Sequence, residues 1–192
     1  MKAVTWNGIY LFSKGINDEK IYQNTFTNGW SGWSLVDNSV SFSEGLAATA
    51  TESSLYLFGV SNEHAAMGIT AFMKADQSIG WTMWEPIPGN GEKFYSSLAA
   101  TNNANKEINL LGIKYNSLGH GIGIVETDYT IPTRGIENPK TKKWTDWVTL
   151  DNKEVANPPA VCADLLPPGK RIILVVSNQQ VFYRFLNDYY QT

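Results

Sequence analysis

The stretch Asn28-Gly29-Trp30-Ser31-Gly32-Trp33-Ser34-Leu35-Val36 contains two tryptophans separated by two small residues. The same W-x-x-W arrangement returns in Gly80-Trp81-Thr82-Met83-Trp84-Glu85 and in Lys143-Trp144-Thr145-Asp146-Trp147-Val148, so six of the seven tryptophans stand in pairs. The first members of successive pairs are 51 and 63 residues apart. A repeat of this length is typical of propeller blades or solenoid units.

The predicted strands follow the same order around each pair. In the first unit, short β-rich runs cover residues 3–6, 9–12 and 21–26, and the tryptophan pair opens a fourth strand after the Asn28-Gly29 turn signal. This order repeats in units of approximately 1–37, 38–90, 91–152 and 153–192. The segment 132–143 lengthens the third unit, and the fourth ends on Asp188-Tyr189-Tyr190-Gln191, with tyrosines in place of the tryptophan pair.

Four units of four short antiparallel strands, with no helix and no linker, predict a single all-β domain. One four-stranded sheet cannot bury both of its faces alone, whereas sheets packed radially around a centre can. The predicted fold is therefore a small β-propeller of four four-stranded blade units. The ring closes within one chain, or two chains complete a larger propeller. The small Ala-Val-Thr and Ala-Ala-Thr strands that begin the units suit the narrow centre of such a ring.

The composition agrees with this class and excludes others. The 192 residues are 43% hydrophobic, which is enough for one core, and only 17% charged. A net charge of −3 without a basic stripe excludes binding to nucleic acid through its backbone. No stretch reaches the roughly 20 apolar residues of a membrane span. No signal peptide precedes the first strand, so we expect a soluble chain, cytoplasmic or exported by a non-classical route.

Candidate metal ligands and nucleophiles are sparse. Cys162 is the single cysteine, so no intrachain disulfide forms, and its apolar neighbours are typical of a small buried residue. His64 and His120 lie in turn-like segments without the carboxylate or cysteine spacing of a metal site. The sequence therefore predicts no metal and no other cofactor.

The first unit resembles one blade of the bacterial and fungal propeller lectins, the Photorhabdus-type and fucose-specific families. The resemblance is carried by Ala3-Val4-Thr5-Trp6, by the Gly15-Ile16-Asn17-Asp18 turn and by Gly29-Trp30-Ser31-Gly32-Trp33-Ser34-Leu35. It implies a non-enzymatic, multivalent lectin whose glycan partners, such as fucose or methylated and simple monosaccharides, bind between neighbouring blades on aromatic platforms. The chain departs from the family in having the Gly-x-Asp turn in one unit only and in its scarce arginines.

The predicted sugar-binding residues come from the tryptophan pairs and the first unit. Residues three apart in a strand point to opposite faces, so one indole of each pair is expected between blades and the other outward, unless a bulge at Gly32 swaps them. An indole offers an apolar face to a sugar ring and an N–H to a hydroxyl. The predicted residues are Trp30, Trp33, Trp81, Trp84, Trp144, Trp147, Tyr22 and Asn17. About three sites are expected, because the fourth unit lacks its pair.

Two other functions remain open from the sequence. One is a protein-interaction propeller in which both rings of each pair are structural. The other is a glycoside hydrolase or an accessory module of one. Because Arg134, Arg171 and Arg184 cannot form a symmetric triad and no carboxylates stand at an informative spacing, we expect a protein that is not an enzyme. A possible homo-oligomer follows from the two-chain alternative.

Overall fold

A computed structural model describes residues 1–74, 79–88, 91–102, 107–115, 121–130, 144–154, 160–163, 170–177 and 180–187. Within these ranges the chain forms sixteen β-strands and no helix, so none of it provides a helix able to cross a membrane. The lengthened segment 132–143, the turn with His120 and the terminal tyrosines at 189 and 190 lie outside the described residues. The all-β prediction is confirmed.

The first sheet contains β1 (Lys2–Thr5), β2 (Ile9–Lys14), β3 (Ile21–Phe26) and β4 (Ser34–Asp37). The strands pair antiparallel and in chain order. The first hairpin turns at Asn7, whose φ of +50° lies in the left-handed region that asparagine tolerates. The Trp6 N–H donates to the carbonyl of Gly8 at 2.9 Å and closes this turn.

Three further sheets repeat this meander. The second contains β5 (Ala47–Ala50), β6 (Ser54–Val60), β7 (Ala66–Met73) and β8 (Ile79–Trp81), and the short β9 (Glu85–Pro86) pairs with β7 beside β8. The third contains β10 (Ala99–Asn102), β11 (Glu107–Tyr115), β12 (Gly121–Thr130) and β13 (Val148–Glu154). The described part of the fourth contains β14 (Ala160–Ala163), β15 (Lys170–Ser177) and β16 (Gln180–Asn187).

The first strands of successive sheets lie side by side. Strand β5 contacts both β1 and β10, and β10 also contacts β14. The Thr49 hydroxyl donates to Asn102 Oδ1 at 2.9 Å and joins β5 to β10. Alanines at positions 47, 48, 99 and 100 allow this close approach, because a methyl side chain takes up little of the space between neighbouring strands. The sheets therefore meet along their first strands, as the sequence predicts for a radial arrangement.

The hydrophobic core is divided between the interfaces of successive sheets. Because side chains alternate along a strand, Leu55 and Leu57 of β6 pack with the first sheet, whereas Tyr56 and Phe58 pack with the third. All four are at least nine-tenths buried. Full burial of such a side chain stabilises a fold by about 1.5–3 kcal/mol relative to exposure. The second sheet is thus a middle layer with two buried faces.

The tryptophan pairs break their strand instead of continuing it. Strand β8 ends at Trp81 and β9 begins at Glu85. Between them, Thr82 N–H donates to the Thr70 carbonyl at 2.9 Å, and the Thr82 hydroxyl accepts the Thr70 N–H at 3.0 Å. The Thr82 hydroxyl replaces a backbone carbonyl as the acceptor of the Thr70 N–H. The regular pairing with β7 is interrupted at this point, and the alternation of side chains between the two faces of the sheet starts anew in β9. Ser31 makes the same two contacts with Thr25, at 2.9 and 3.0 Å.

The prediction that each pair splits between two faces is wrong for this reason. Trp81 and Trp84 both contact aromatic rings on the side of the first sheet, Phe12 at 6.0 Å and Phe42 at 4.6 Å between ring centroids. The third pair repeats the arrangement one sheet later, with Trp144 on Phe58 at 5.7 Å and Trp147 on Phe94 at 4.7 Å. In the first pair, neither ring is buried: Trp30 is 53% exposed and Trp33 is 51% exposed.

Candidate functional site

A cavity of about 170 Å³ opens between the second and third sheets, and we call it the Trp144 cleft. The second sheet supplies most of its wall, and the tryptophan pair of the third sheet supplies Trp144. Aromatic, hydroxyl, carboxylate and aliphatic groups all take part. The lining residues are Tyr56, Phe58, Gly68, Thr70, Thr82, Met83, Glu85, Pro86, Ile87, Pro88 and Trp144.

The aromatic part of the cleft is held by ring-to-ring packing. The half-buried Trp144 ring meets Phe58 edge-on, with an interplanar angle of 83°. Tyr56 lies two residues before Phe58 on β6 and so shares its face of the sheet. Burial raises the pKa of the Tyr56 phenol, and a hydrogen bond with Ser54 acts in the opposite direction. The phenol therefore stays protonated at neutral pH.

The polar groups of the cleft lie along the segment where β8 ends and β9 begins. The Thr82 hydroxyl is fixed by the Thr70 N–H and lies 3.3 Å from the Met83 carbonyl, to which it donates. Glu85 is exposed at the start of β9, where the strand register places it opposite Gly68. The Ile87 N–H donates to the Ala66 carbonyl at 2.9 Å and anchors the chain after β9. The Thr82 hydroxyl and the Glu85 carboxylate thus belong to a segment whose backbone is held by hydrogen bonds to β7.

Gly68 makes room for the cavity. A Cβ atom at this position would lie 2.9 Å from Ile87 Cδ1 and 3.2 Å from Phe58 Cδ1. In the first sheet, Gln23 pairs with Phe12 just as Gly68 pairs with Phe58, so a glutamine stands at the corresponding register position. The buried Gln23 Oε1 has no hydrogen-bond partner within the described ranges. The first sheet therefore has a side chain at the register position where the second sheet has none.

Of the predicted sugar-binding residues, the structure places Trp144 in the cleft. Trp81, Trp84 and Trp147 pack against aromatic rings at the sheet interfaces, while Trp30 and Trp33 are half exposed on the first sheet. Asn17 is exposed in the turn after β2. The hydroxyl of Tyr22 donates to Asp18 Oδ2 at 2.6 Å. The eight residues are thus distributed over three sheets and do not form one site.

The remaining cleft residues were not predicted as site residues. Thr82 and Met83 are the two residues inside the second W-x-x-W, and Glu85 directly follows it. The sequence signal for these residues is a hydroxyl, Thr82, three positions before a carboxylate, Glu85. Thr70 and Gly68 carry no local signal, because they enter the cleft through strand pairing. In the described part of the chain, no three His, Cys, Asp or Glu side chains come together as a metal site.

No protein-family model matches the chain, and no curated protein matches it in sequence. Among solved structures, the chain is similar to the Hadza microbial sialidase Hz136, with a TM-score of 0.64 and 12% identity over 97% of its length. It covers 43% of that sialidase chain. It is also similar to a fucose lectin from Kordia zhangzhouensis in complex with methyl-fucoside, with a TM-score of 0.49 and 13% identity, over 79% of this chain and 100% of the lectin chain.

The likeness to the sialidase concerns the fold, because identity is low. Together with the repeated meanders and their adjoining first strands, it decides the fold class. The chain is an all-β propeller. The prediction of this class is confirmed, and the Trp144 cleft lies between two neighbouring sheets of the propeller.

Proposed function

We propose that the protein is a lectin and that the Trp144 cleft binds one neutral monosaccharide unit. The observation that carries the proposal is an indole, fixed hydroxyls and one carboxylate around a single cavity. A cavity of about 150 Å³ is enough to accept a benzene ring, so about 170 Å³ accommodates one six-membered ring. The apolar face of a pyranose stacks on an indole, which gives Trp144 the role of platform.

The polar groups of the cleft favour a neutral sugar over an acidic one. Glu85 accepts hydrogen bonds from sugar hydroxyls, and its charge repels a carboxylated sugar. Thr70 and Thr82 add hydroxyl groups on the same side of the sheet. Apolar atoms of Met83 and Ile87 complete the wall and suit a methyl substituent. Fucose and methylated monosaccharides carry such a group, and these are the glycans that the lectin resemblance suggests.

Binding without catalysis is part of the proposal. Most glycoside hydrolases use a pair of carboxyl groups about 5–10 Å apart. Among the described residues that line the cleft, Glu85 is the carboxylate. A single carboxylate can orient hydroxyls but lacks a partner for acid–base work. We therefore expect no turnover of a bound glycoside.

A glycan-array screen followed by tryptophan fluorescence titration of the hits tests the proposal. We expect saturable binding, with a dissociation constant of about 1 mM or below for a single site. Trp144→Ala removes the platform, and Gly68→Gln introduces into the cavity the side chain that the first sheet has at this register position. Each substitution should weaken binding by at least about tenfold. Met73→Ala, which changes a residue that is 40% exposed at the end of β7 and does not line the cleft, is the matched control.

Two outcomes contradict the proposal of a sugar site in the Trp144 cleft. One is a blank array with folded protein, which would favour the protein-interaction alternative. The other is binding that survives both Trp144→Ala and Gly68→Gln, because the sugar would then lie elsewhere. Release of free sugar from a bound glycoside would contradict the non-catalytic part alone.

A further inference from the structure

The first sheet has one buried face and one exposed apolar face. Strand pairing aligns Ile9 with Phe26 and Phe26 with Trp30, so these three side chains lie in one row across the sheet. They are 42%, 38% and 53% exposed. Trp33 and Leu35, exposed by 51% and 41%, extend the apolar surface. We call these five residues the Trp30 face.

The corresponding face of the second sheet is covered. Leu55 pairs with Ala71 as Ile9 pairs with Phe26, so the two rows occupy the same register positions. Leu55 and Ala71 are fully buried in the cluster that also contains Tyr10 and Phe12 of the first sheet. The tryptophan pair of the second sheet takes part in the same contact. The Trp30 face thus corresponds to a face that is buried between sheets elsewhere in the chain, but here no sheet of the described residues covers it.

The fourth sheet carries the complementary surface. Leu174 pairs with Ala160 as Phe58 pairs with Ala47, and Val181 pairs with Val176 as Ala66 pairs with Val60. Phe58 and Ala66 are 2% and 3% exposed and pack with the third sheet. Leu174 and Val181 are 39% and 66% exposed. At these two positions the fourth sheet is exposed on the side that would face a following sheet, and we call Leu174 and Val181 the Leu174 face.

We propose that a second copy of this chain covers the Trp30 face with its Leu174 face, head to tail, so that two copies close one ring. The residues of the Trp30 face and those of the Leu174 face are exposed in the same chain, so within the described residues these two sets do not cover each other. Their contact would repeat the packing seen between the first and second sheets and between the second and third. The Trp30 face carries no charged residue, as is typical of the core of a protein–protein interface.

Two copies give a closed assembly of a size that propellers adopt. A head-to-tail contact produces a ring when the rotation closes and a filament when it does not. Two chains with four sheets each make about eight, the upper end of the usual range of blades, whereas three chains exceed it. Each ring would contain the new interface twice.

The interface also completes a site. Trp30 is the first member of its pair, as Trp144 is in the third sheet, so it would stand over the partner's fourth sheet as Trp144 stands over the second. The new cleft would contain an indole from one copy and strand residues from the other. Sugar binding by this new cleft rests on the proposed function. The association of the two copies does not rest on it.

Sedimentation equilibrium over a broad range of protein concentration tests the assembly. We expect a mass twice that of the 21.3 kDa chain. Trp30→Ser combined with Trp33→Ser removes one face, and Leu174→Asp places a charge on the other, so each variant should sediment as a single chain. Phe72→Ser, which changes a residue 42% exposed on the second sheet, is the control and should remain dimeric. Far-UV circular dichroism verifies that each variant is folded.

Several results would overturn the proposal. They are a single-chain mass at every concentration, an assembly larger than two copies, and a dimer that persists in both interface variants. A dimer that survives Leu174→Asp but is lost with the tryptophan substitutions would be formed by two Trp30 faces. This result also contradicts the head-to-tail arrangement. Because the mass is measured without sugar, failure here is distinct from failure of the lectin proposal.

Discussion

Single residues change the space available at a sheet interface. Gly68 and Gln23 occupy the same register position, and the cavity lies beside the glycine. Other lining positions differ as well, since Ser34 pairs with Gln23 where Glu85 pairs with Gly68, while Tyr10 and Phe12 correspond to Tyr56 and Phe58. A repeated framework can therefore carry sites that differ in access and specificity. The expectation of about three sites stays a prediction, and the exchange of glycine for glutamine gives a physical reason for such sites to differ.

The exposed turn after β2 offers a test of the structure at the residue scale. The Tyr22 hydroxyl, and then the Lys20 N–H, donate to Asp18 and lower the pKa of its carboxyl below the usual value. The stability that Asp18 contributes is therefore present above its unfolded pKa, about 3.9, and is lost as the pH falls through the lower folded pKa. Tyr22→Phe should raise that pKa.

A carbon-13 NMR titration of the Asp18 carboxyl measures this effect directly. The wild-type midpoint should lie below that of a free aspartate side chain, and the variant midpoint should lie closer to it. A midpoint that Tyr22→Phe leaves unchanged would show that the hydroxyl does not stabilise the carboxylate.

At the scale of elements, the W-x-x-W motif works as a broken strand. A hydroxyl after the first tryptophan accepts the N–H of the neighbouring strand, so the two rings turn to the same side. In the second and third pairs, each ring then packs on an aromatic residue on the side of the preceding sheet. The motif therefore joins sheets, and its two middle residues border the cleft.

Adjacent residues of one motif should differ strongly in their contribution to stability. Trp84 is 7% exposed and packs on Phe42, whereas Met83 is 75% exposed. Trp84→Ala leaves a large void and should lower the free energy of unfolding by about 3–5 kcal/mol. Met83→Ala should change it by no more than about 0.5 kcal/mol. Urea unfolding followed by circular dichroism, at matched protein concentration, compares the two, and similar losses would contradict the packing described here.

The repeated strands and the role of the tryptophan pairs as repeat markers could be predicted from the sequence, because strand propensity, turn signals and aromatic spacing are local. The side of the sheet to which the tryptophan rings turn could not be predicted, because it depends on a hydrogen bond between Thr82 and Thr70 on another strand. Nor could the exposure of Trp30 and Trp33, which share their motif with buried rings. Their exposure depends on whether another sheet covers them, which is not a local property of the motif.

The whole molecule combines repetition with two uncovered faces. Successive sheets meet along their first strands, and the interior interfaces bury the aromatic rings. The Trp30 and Leu174 faces are uncovered and correspond to the two sides of an interior interface. If two copies close one ring, every interface of the propeller is of the same kind. Several weak sites on one rigid ring would raise the avidity for a multivalent glycan by a factor of about 100 or more.

The central claim is that the Trp144 cleft is a sugar site. A titration of nitrogen-15-labelled protein with the best glycan hit, followed through the seven indole N–H resonances, tests it most directly. Saturable shifts of the Trp144 resonance, with the Trp84 resonance unmoved, are the predicted result, because Trp84 is packed against Phe42 outside the cleft. Shifts confined to other tryptophans, or none at saturating sugar, would contradict the claim.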